Sequence, residues 1–461
     1  MKHTPATDLA RRAFLRRGAQ LGLAGTAMPW AMNLSMIGDA AAATDPSDYK
    51  ALVCIFMYGG NDYGNTLVPV DSTNYAAYAR IRQGLALTQA QLAATKLNTP
   101  IALPNGLQYA LAPGLAPIKP LFDSGKLAVQ LNVGPLIQPT TVAQYNARSV
   151  KLPPKLFSHN DQQSTWQANL PEGAISGWGG RIGDLMLSGN GGSVFSCISV
   201  TGNAVFLSGG QAVQYQLSTN GAVPVNGISN ALFGSATAQS ALRTLITRER
   251  SHLLEAEYTR VTRRSIDAEA QMRTALAAAP AVNTVFESTN SLAMQMKMVA
   301  RTIAARTALG PRRQVFMVSL GGFDTHASLL DTHPMLMDKV ADAMASFYDA
   351  TVELGVADKV TAFTTSDFGR TLSSNGNGSD HGWGSHHFVL GGAVAGGRFY
   401  GTAPAVASGG PDDVGQGRLL PTTSVDQYAA TLASWFGVSD TDLPLVLPGI
   451  GNFNTRKLGF V

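Results

Sequence analysis

The sequence predicts an α/β protein with a mostly parallel central sheet sandwiched between helices, and three observations carry that expectation. Five short apolar runs each stop at Gly or Asp: "ALVCIFMYGGND", "KLAVQLNVG", "RQVFMVSLGGFD", "KVTAFTTSDFG" and "HFVLGGAV". Strands buried on both faces read as such near-continuous runs. Helical patterns lie between them, and alternation of strands with helices argues for a sheet covered on both sides. With 461 residues, 45% of them hydrophobic, the chain can build one large domain or two smaller ones. It shows no repeat and no strong linker, so residues 44–461 are expected to form a single domain.

Residues 1–43 read as a twin-arginine export signal. Arg11 and Arg12 precede Phe14 and Leu15, a mildly apolar stretch follows, and "DAAAATD" offers small residues for cleavage. The expected location is periplasmic or secreted, with the twin-arginine export machinery as a partner and the chain exported folded. The segment carries five Lys/Arg against two acids, so its removal takes the net charge from +4 to +1. The basic balance therefore belongs mainly to the signal and implies no nucleic-acid partner. No later apolar run reaches eighteen residues, so the mature chain is expected to have no membrane span.

The remaining elements follow local chemistry. Residues 333–354 place apolar side chains at spacings of three and four, with Pro334 suited to a first turn. Residues 236–278 carry charges of both signs along a helical pattern, which reads as a solvated face. In "SVDQYAATLASWFG", Ser424 is a helix cap and Gly437 a stop. Residues 190–235, rich in Gly and Ser without helical period, read as an irregular insertion or a small β-rich excursion. Cys54 and Cys197 are the only cysteines. A disulfide suits an oxidising compartment, while the apolar setting of Cys54 equally suits a buried thiol. Two cysteines cannot build a zinc cage, so any metal must be held by Asp and His.

Open parallel sheets bind ligands beyond the carboxyl ends of their strands. Asp62 follows the first run, Asp324 and His326 the run at 314–320, and Asp367 and Arg370 the run at 359–365. Next comes "GSDHGWGSHHF", where Asp380, His381, His386 and His387 include three of the chain's eight histidines. A lone Asp after a strand is more often a cap or turn former. Four strand ends offering Asp or His converge on a mixed O/N site, which suits Zn, Mn or a similar divalent ion.

The motifs "GGNDYGN", "GGFDTH", "TTSDFGRT" and "DHGWGSHHF" resemble those of the alkaline phosphatase and sulfatase superfamily, whose members hold two metals on such a sheet. With the twin-arginine start, "GGFDTH", "SDFGRT" and "DHGWGSHHFVLGG" resemble the exported family called domain of unknown function 1501, from the signal to the final helix. That family brings no settled activity. The superfamily resemblance implies a metal-dependent hydrolase of phosphate or sulfate esters, acting on a small molecule or envelope polymer with one or two divalent ions (Zn, Mn or Ca). It implies Asp324, His326 and His387 at a first metal, and Asp62, Asp367 and His381 at a second. Asp380 would be a ligand or would orient one. Adjacent His386 and His387 face opposite ways on a strand, so one of them is expected to point inward.

The superfamily resemblance also implies a nucleophile at a helix N-terminus, where the dipole and a metal lower a hydroxyl's pKa. Ser158 in "LFSHNDQQSTW", beside His159 and Asp161, is the first candidate, with a plain cap as the bland reading. Thr66 is the runner-up. Arg370 would hold an ester oxygen. The chain departs from the superfamily in three ways: one residue separates Asp324 from His326, Phe368 stands where a His would follow Asp367, and no Cys-x-Pro-x-Arg motif occurs. The last disfavours a formylglycine sulfatase. An exported binding or envelope protein that keeps the fold without catalysis is the alternative.

Overall fold

Alternate residues of strand β1 (Lys50–Met57) enter two different cores. Ala51, Val53, Ile55 and Met57 face one, while Leu52, Cys54 and Phe56 face the other. This is the period of two expected of a strand covered on both sides. The computed structural model describes residues 48–461, and the expected export signal lies outside the described residues.

β1 sits in a ten-stranded sheet. Its other strands are β2 (Leu127–Gly134), β3 (Cys197–Ser199), β4 (Tyr215–Ser218), β5 (Gly221–Ala222), β6 (Arg313–Leu320), β7 (Val360–Ser366), β8 (Ser385–Gly391), β9 (Phe399–Tyr400) and β10 (Thr423–Ser424). The order is β9-β2-β8-β7-β1-β6-β3-β4-β5, with β10 also beside β2. β1 runs parallel to β6 and β7, and β8 runs antiparallel to β7 and β2. The sheet is thus mostly parallel. The five expected runs are its five long strands.

Six helices cover it: α1 (His159–Ala168), α2 (Trp178–Met186), α3 (Leu253–Ala278), α4 (Ser291–Ala304), α5 (Leu329–Glu353) and α6 (Val425–Phe436). α3, α4 and α5 close the first core, and α1, α2 and α6 the second. The sandwich expected from the sequence is therefore present, and Tyr49–Val461 form one compact unit. Ser424 caps α6 with a reciprocal bond from Gln427, and Gly437 ends it at φ +119°. α5 starts a turn before residue 333, which leaves Pro334 inside the helix. The 236–278 stretch breaks into Ala236–Thr247 and α3. Residues 190–235 supply β3, β4 and β5, so they extend the sheet. Cys54 and Cys197 are free, and burial pushes each thiol up to about 12. Among the described residues, no helix is long and apolar enough to cross a membrane.

β1, β2, β6 and β7 point their carboxyl ends at one edge, and antiparallel β8 enters from that edge. The candidate residues are carried to this edge.

Candidate metal centre

The connection after β6 carries Asp324 and His326 close against the turn after β1. That turn must be glycine: Gly59 has φ +119°, and a Cβ there would lie 2.3 Å from the Asp324 backbone nitrogen. After β7, the chain passes Asp367 and Phe368 and enters a hairpin of Arg370–Ser374 and Ser379–His381. The "GSDHG" stretch is thus a return strand, with His381 directly opposite Arg370. The fourth contributor is the first turn of α1, which presents His159.

These side chains converge. Asp324 Oδ1 lies 3.2 Å from His326 Nε2 and 3.3 Å from His381 Nε2, and the two Nε2 atoms are 2.8 Å apart. Bonds of 2.0–2.1 Å around a tetrahedral ion put ligand atoms about 3.3 Å apart, so the triangle is close to one face of such a site. On the other carboxylate oxygen, Asp324 Oδ2 stands 3.5 Å from His159 Nε2. His159, Asp324 and His381 each offer an atom within 4.8 Å of the others.

The outer nitrogens explain why these atoms face inward. His381 Nδ1 donates to the Phe157 carbonyl at 2.8 Å, and His326 Nδ1 donates to Asp380 Oδ1 at 3.1 Å. Each neutral ring then carries its lone pair on Nε2. Two lone pairs 2.8 Å apart beside a carboxylate oxygen need a proton or a cation among them. His159 repeats the pattern: Nδ1 donates to Asp367 Oδ2 at 2.6 Å, leaving Nε2 toward Asp324. Gln163 Nε2 donates to the same Asp367 oxygen at 2.7 Å, while buried Asp367 Oδ1 has no hydrogen-bond partner. The donor set therefore fits a divalent cation.

Charge sets the protonation states. His159 titrates above its ordinary value because of the Asp367 hydrogen bond, against a smaller opposing effect of burial. Burial pushes Asp324 up, but the Arg370 hydrogen bond and charge, with His326 and His159, outweigh it and hold the carboxyl below the usual range. Asn375 and His326 hold Asp380 down. Burial keeps His381 below the usual imidazole value and so favours its neutral form.

A family model described as "Protein of unknown function (DUF1501)" matches residues 49–445. The chain belongs to this family. No curated protein matches the chain. Solved structures similar to it include Ps i-CgsB in complex with k-i-k-neocarrahexaose, at 11% identity and TM-score 0.35, covering 88% of this chain and 77% of that one. Another is the PsFucS1 sulfatase from Pseudoalteromonas sp., at 10% identity and TM-score 0.35, covering 88% and 72%. A third is the lipoteichoic acid synthase LtaP from Listeria monocytogenes, at 8% and 0.33, covering 87% and 77%.

In this DUF1501 chain the other candidates are not corners of the triangle. Asp62, expected as a metal ligand, is fully buried and ion-paired with Arg82 at 2.5 Å. Arg82 also donates to the Thr371 and Leu372 carbonyls, so the pair ties the β1 turn to the hairpin. Thr66 Oγ1 is buried and donates to the Asp62 carbonyl at 2.8 Å. His387 packs edge-on against Trp166, 4.7 Å between ring centres, and His386 packs against Tyr63 and Tyr109. The two do face opposite ways, but both faces of β8 are core. Arg370 is fully buried, and its donors go to Asp324, the Gly59 carbonyl and Ser379. It orients Asp324 and has no route to an ester oxygen. Phe368 lines the cluster, 4.9 Å from the His159 ring and 4.7 Å from that of His381. Ser158 is the N-cap of α1, but its hydroxyl donates to Asp161 Oδ2 at 3.1 Å and makes no bond to the helix backbone.

Sequence reasoning missed His159 and Gln163. Their one signal was a histidine directly after a candidate cap, which places it in a helix's first turn.

Proposed function

We propose that this protein is an exported, metal-dependent hydrolase of phosphate or sulfate esters. The observation that carries the reading is the triangle of Asp324 Oδ1, His326 Nε2 and His381 Nε2, with edges of 2.8–3.3 Å and each imidazole's outer nitrogen already committed. His159 would complete the donor set, and Asp380 would orient His326. A divalent cation bound there would supply Lewis-acid charge to the ester oxygens. The rest falls to the chain. Arg370 holds the Asp324 carboxylate ionised and aimed. Asp367 holds the His159 imidazole with Nε2 toward Asp324. Ser158, at the positive end of the α1 dipole, would attack the ester's phosphorus or sulfur while Asp161 Oδ2 accepts its proton; the ester's alcohol would leave with a proton, and water would then cleave the seryl ester. The twin arginines, apolar stretch and small-residue cleavage site support export.

The test is the metal content of the protein lacking residues 1–43, beside Asp324→Ala and His381→Ala variants, together with turnover of aryl phosphate and aryl sulfate. One or two equivalents of Zn, Mn or Ca, lost in both variants together with turnover, is the expected result. Unchanged metal content in both variants overturns it. A bound cation without turnover on either ester, unaltered by Ser158→Ala, would favour a cation-holding envelope protein on the same fold.

A further inference from the structure

Arg418 reaches the cluster from a separate loop and touches one of its backbones and a neighbouring ring at once. Its Nε donates to the His381 carbonyl at 2.7 Å, and its guanidinium lies 5.0 Å from the centre of the Phe157 ring. Phe157 is the residue whose carbonyl receives His381 Nδ1, and it directly precedes Ser158 and His159. Phe157 has φ +72°, a left-handed conformation that a bulky side chain adopts only when its contacts hold it. The loop behind Arg418 is anchored in turn. Asp413 accepts from the backbone of Gly409, Gly415 and Gly417 at 2.6–2.8 Å, and the Gly417 carbonyl receives Tyr63 Oη at 3.0 Å.

We propose that Arg418 is a positioning residue for the cation site. It clamps Phe157 against His381, which keeps the proton on His381 Nδ1 and sets the spacing between His381 and His159. The inference rests on the cation-site reading above. It adds a residue that touches neither substrate nor cation and acts through one carbonyl and one ring.

The test is titration of the metal-free, signal-less protein with Co²⁺, read by the visible absorption of the bound ion, for wild type, Arg418→Ala, Arg418→Lys and His381→Ala. Thermal melting of each metal-free form is measured alongside. Loss of a residue that orients a ligand typically weakens binding by about 10–100-fold. Arg418→Ala should therefore lose about tenfold or more in Co²⁺ affinity and shift the absorption band, with a melting temperature near wild type. Arg418→Lys keeps charge and stem but not the planar fork, and should fall between. It carries the test if the alanine variant does not fold. Wild-type affinity and spectrum in both Arg418 variants, with binding lost in His381→Ala, overturns the clamp and leaves the site standing. Binding in His381→Ala equal to wild type, or none in wild type, removes the site and the clamp together.

Discussion

The Asp367 carboxylate holds the His159 imidazole through a 2.6 Å contact between Oδ2 and Nδ1, and this contact ties the strand-end β7 turn to the first turn of α1. Because the bond and the charge both favour imidazolium, His159 in the metal-free protein should titrate above the ordinary 6.5, as followed by proton NMR. Asp367→Asn should bring it down. The sign of the linkage follows. The stability gained from a raised imidazole is fully present below the unfolded value and is lost as pH rises through the folded one. The same variant should weaken cation binding by about 10–100-fold in calorimetry.

Acid should destabilise the protein before its carboxylates titrate. Burial drives His386 and His387 down to about 3 and His333 to about 4, against 6.5 unfolded. Between those values the unfolded chain holds protons that the folded one refuses, so stability falls as pH drops below about 6.5. Each such histidine contributes about 1.4 kcal/mol per pH unit while its two values bracket the pH. Urea midpoints from pH 7 to 5 should show the slope. His333→Gln, which can still donate to Asn61 Oδ1 as His333 Nε2 does at 3.0 Å, should flatten it by one proton's share.

Asp62 and Arg82 form an ion pair with neither side chain exposed. Asp62→Ala strands a buried guanidinium and should cost about 3–5 kcal/mol in urea unfolding, whereas the double change Asp62→Leu/Arg82→Met should recover most of it. Asp62→Asn should lower stability yet leave Co²⁺ affinity unchanged. A fall in affinity beyond threefold would return Asp62 to the ligand set.

Gly59 closes the β1 turn where Asp324 passes. Gly59→Ala adds a Cβ 2.3 Å from the Asp324 nitrogen at a φ of +119°. It should cost about 1–3 kcal/mol through backbone strain. Because the displaced residue is Asp324, the variant should also lose cation binding.

The five long strands were legible because a strand covered on both faces is apolar throughout, and such runs are hard to disguise. The short strands β3 to β5 were legible at most as a β-rich excursion, since their two to four residues carry no period long enough to count. In the site, Asp324, His326, Asp367, Asp380 and His381 could be seen because each closely follows a strand or lies in the turn-rich stretch after one. An Asp after a strand looks the same whether it faces a cleft or an arginine. The Arg82 that claims Asp62 lies twenty residues on and leaves no mark in the local pattern. His386 and His387 misled for a related reason: alternation assigns them opposite faces but does not say whether a face is open. His159 reaches the site after a connection from Pro135 to Ser158 whose helix, Val142–Ala147, is too short to show a period.

The members of the triangle and its neighbour at His159 come from three separate crossovers, and 222 positions separate His159 from His381. Their meeting is therefore a long-range event, delayed until the strands between them have paired. An unfolded chain keeps only Asp324 and His326 together, so a cation would bind mainly to the finished molecule. By mass action each hundredfold excess over its dissociation constant would deepen the native well by about 2.7 kcal/mol. The ion would then act as a late keystone, set after the arch is built and raising the free energy needed to take it down.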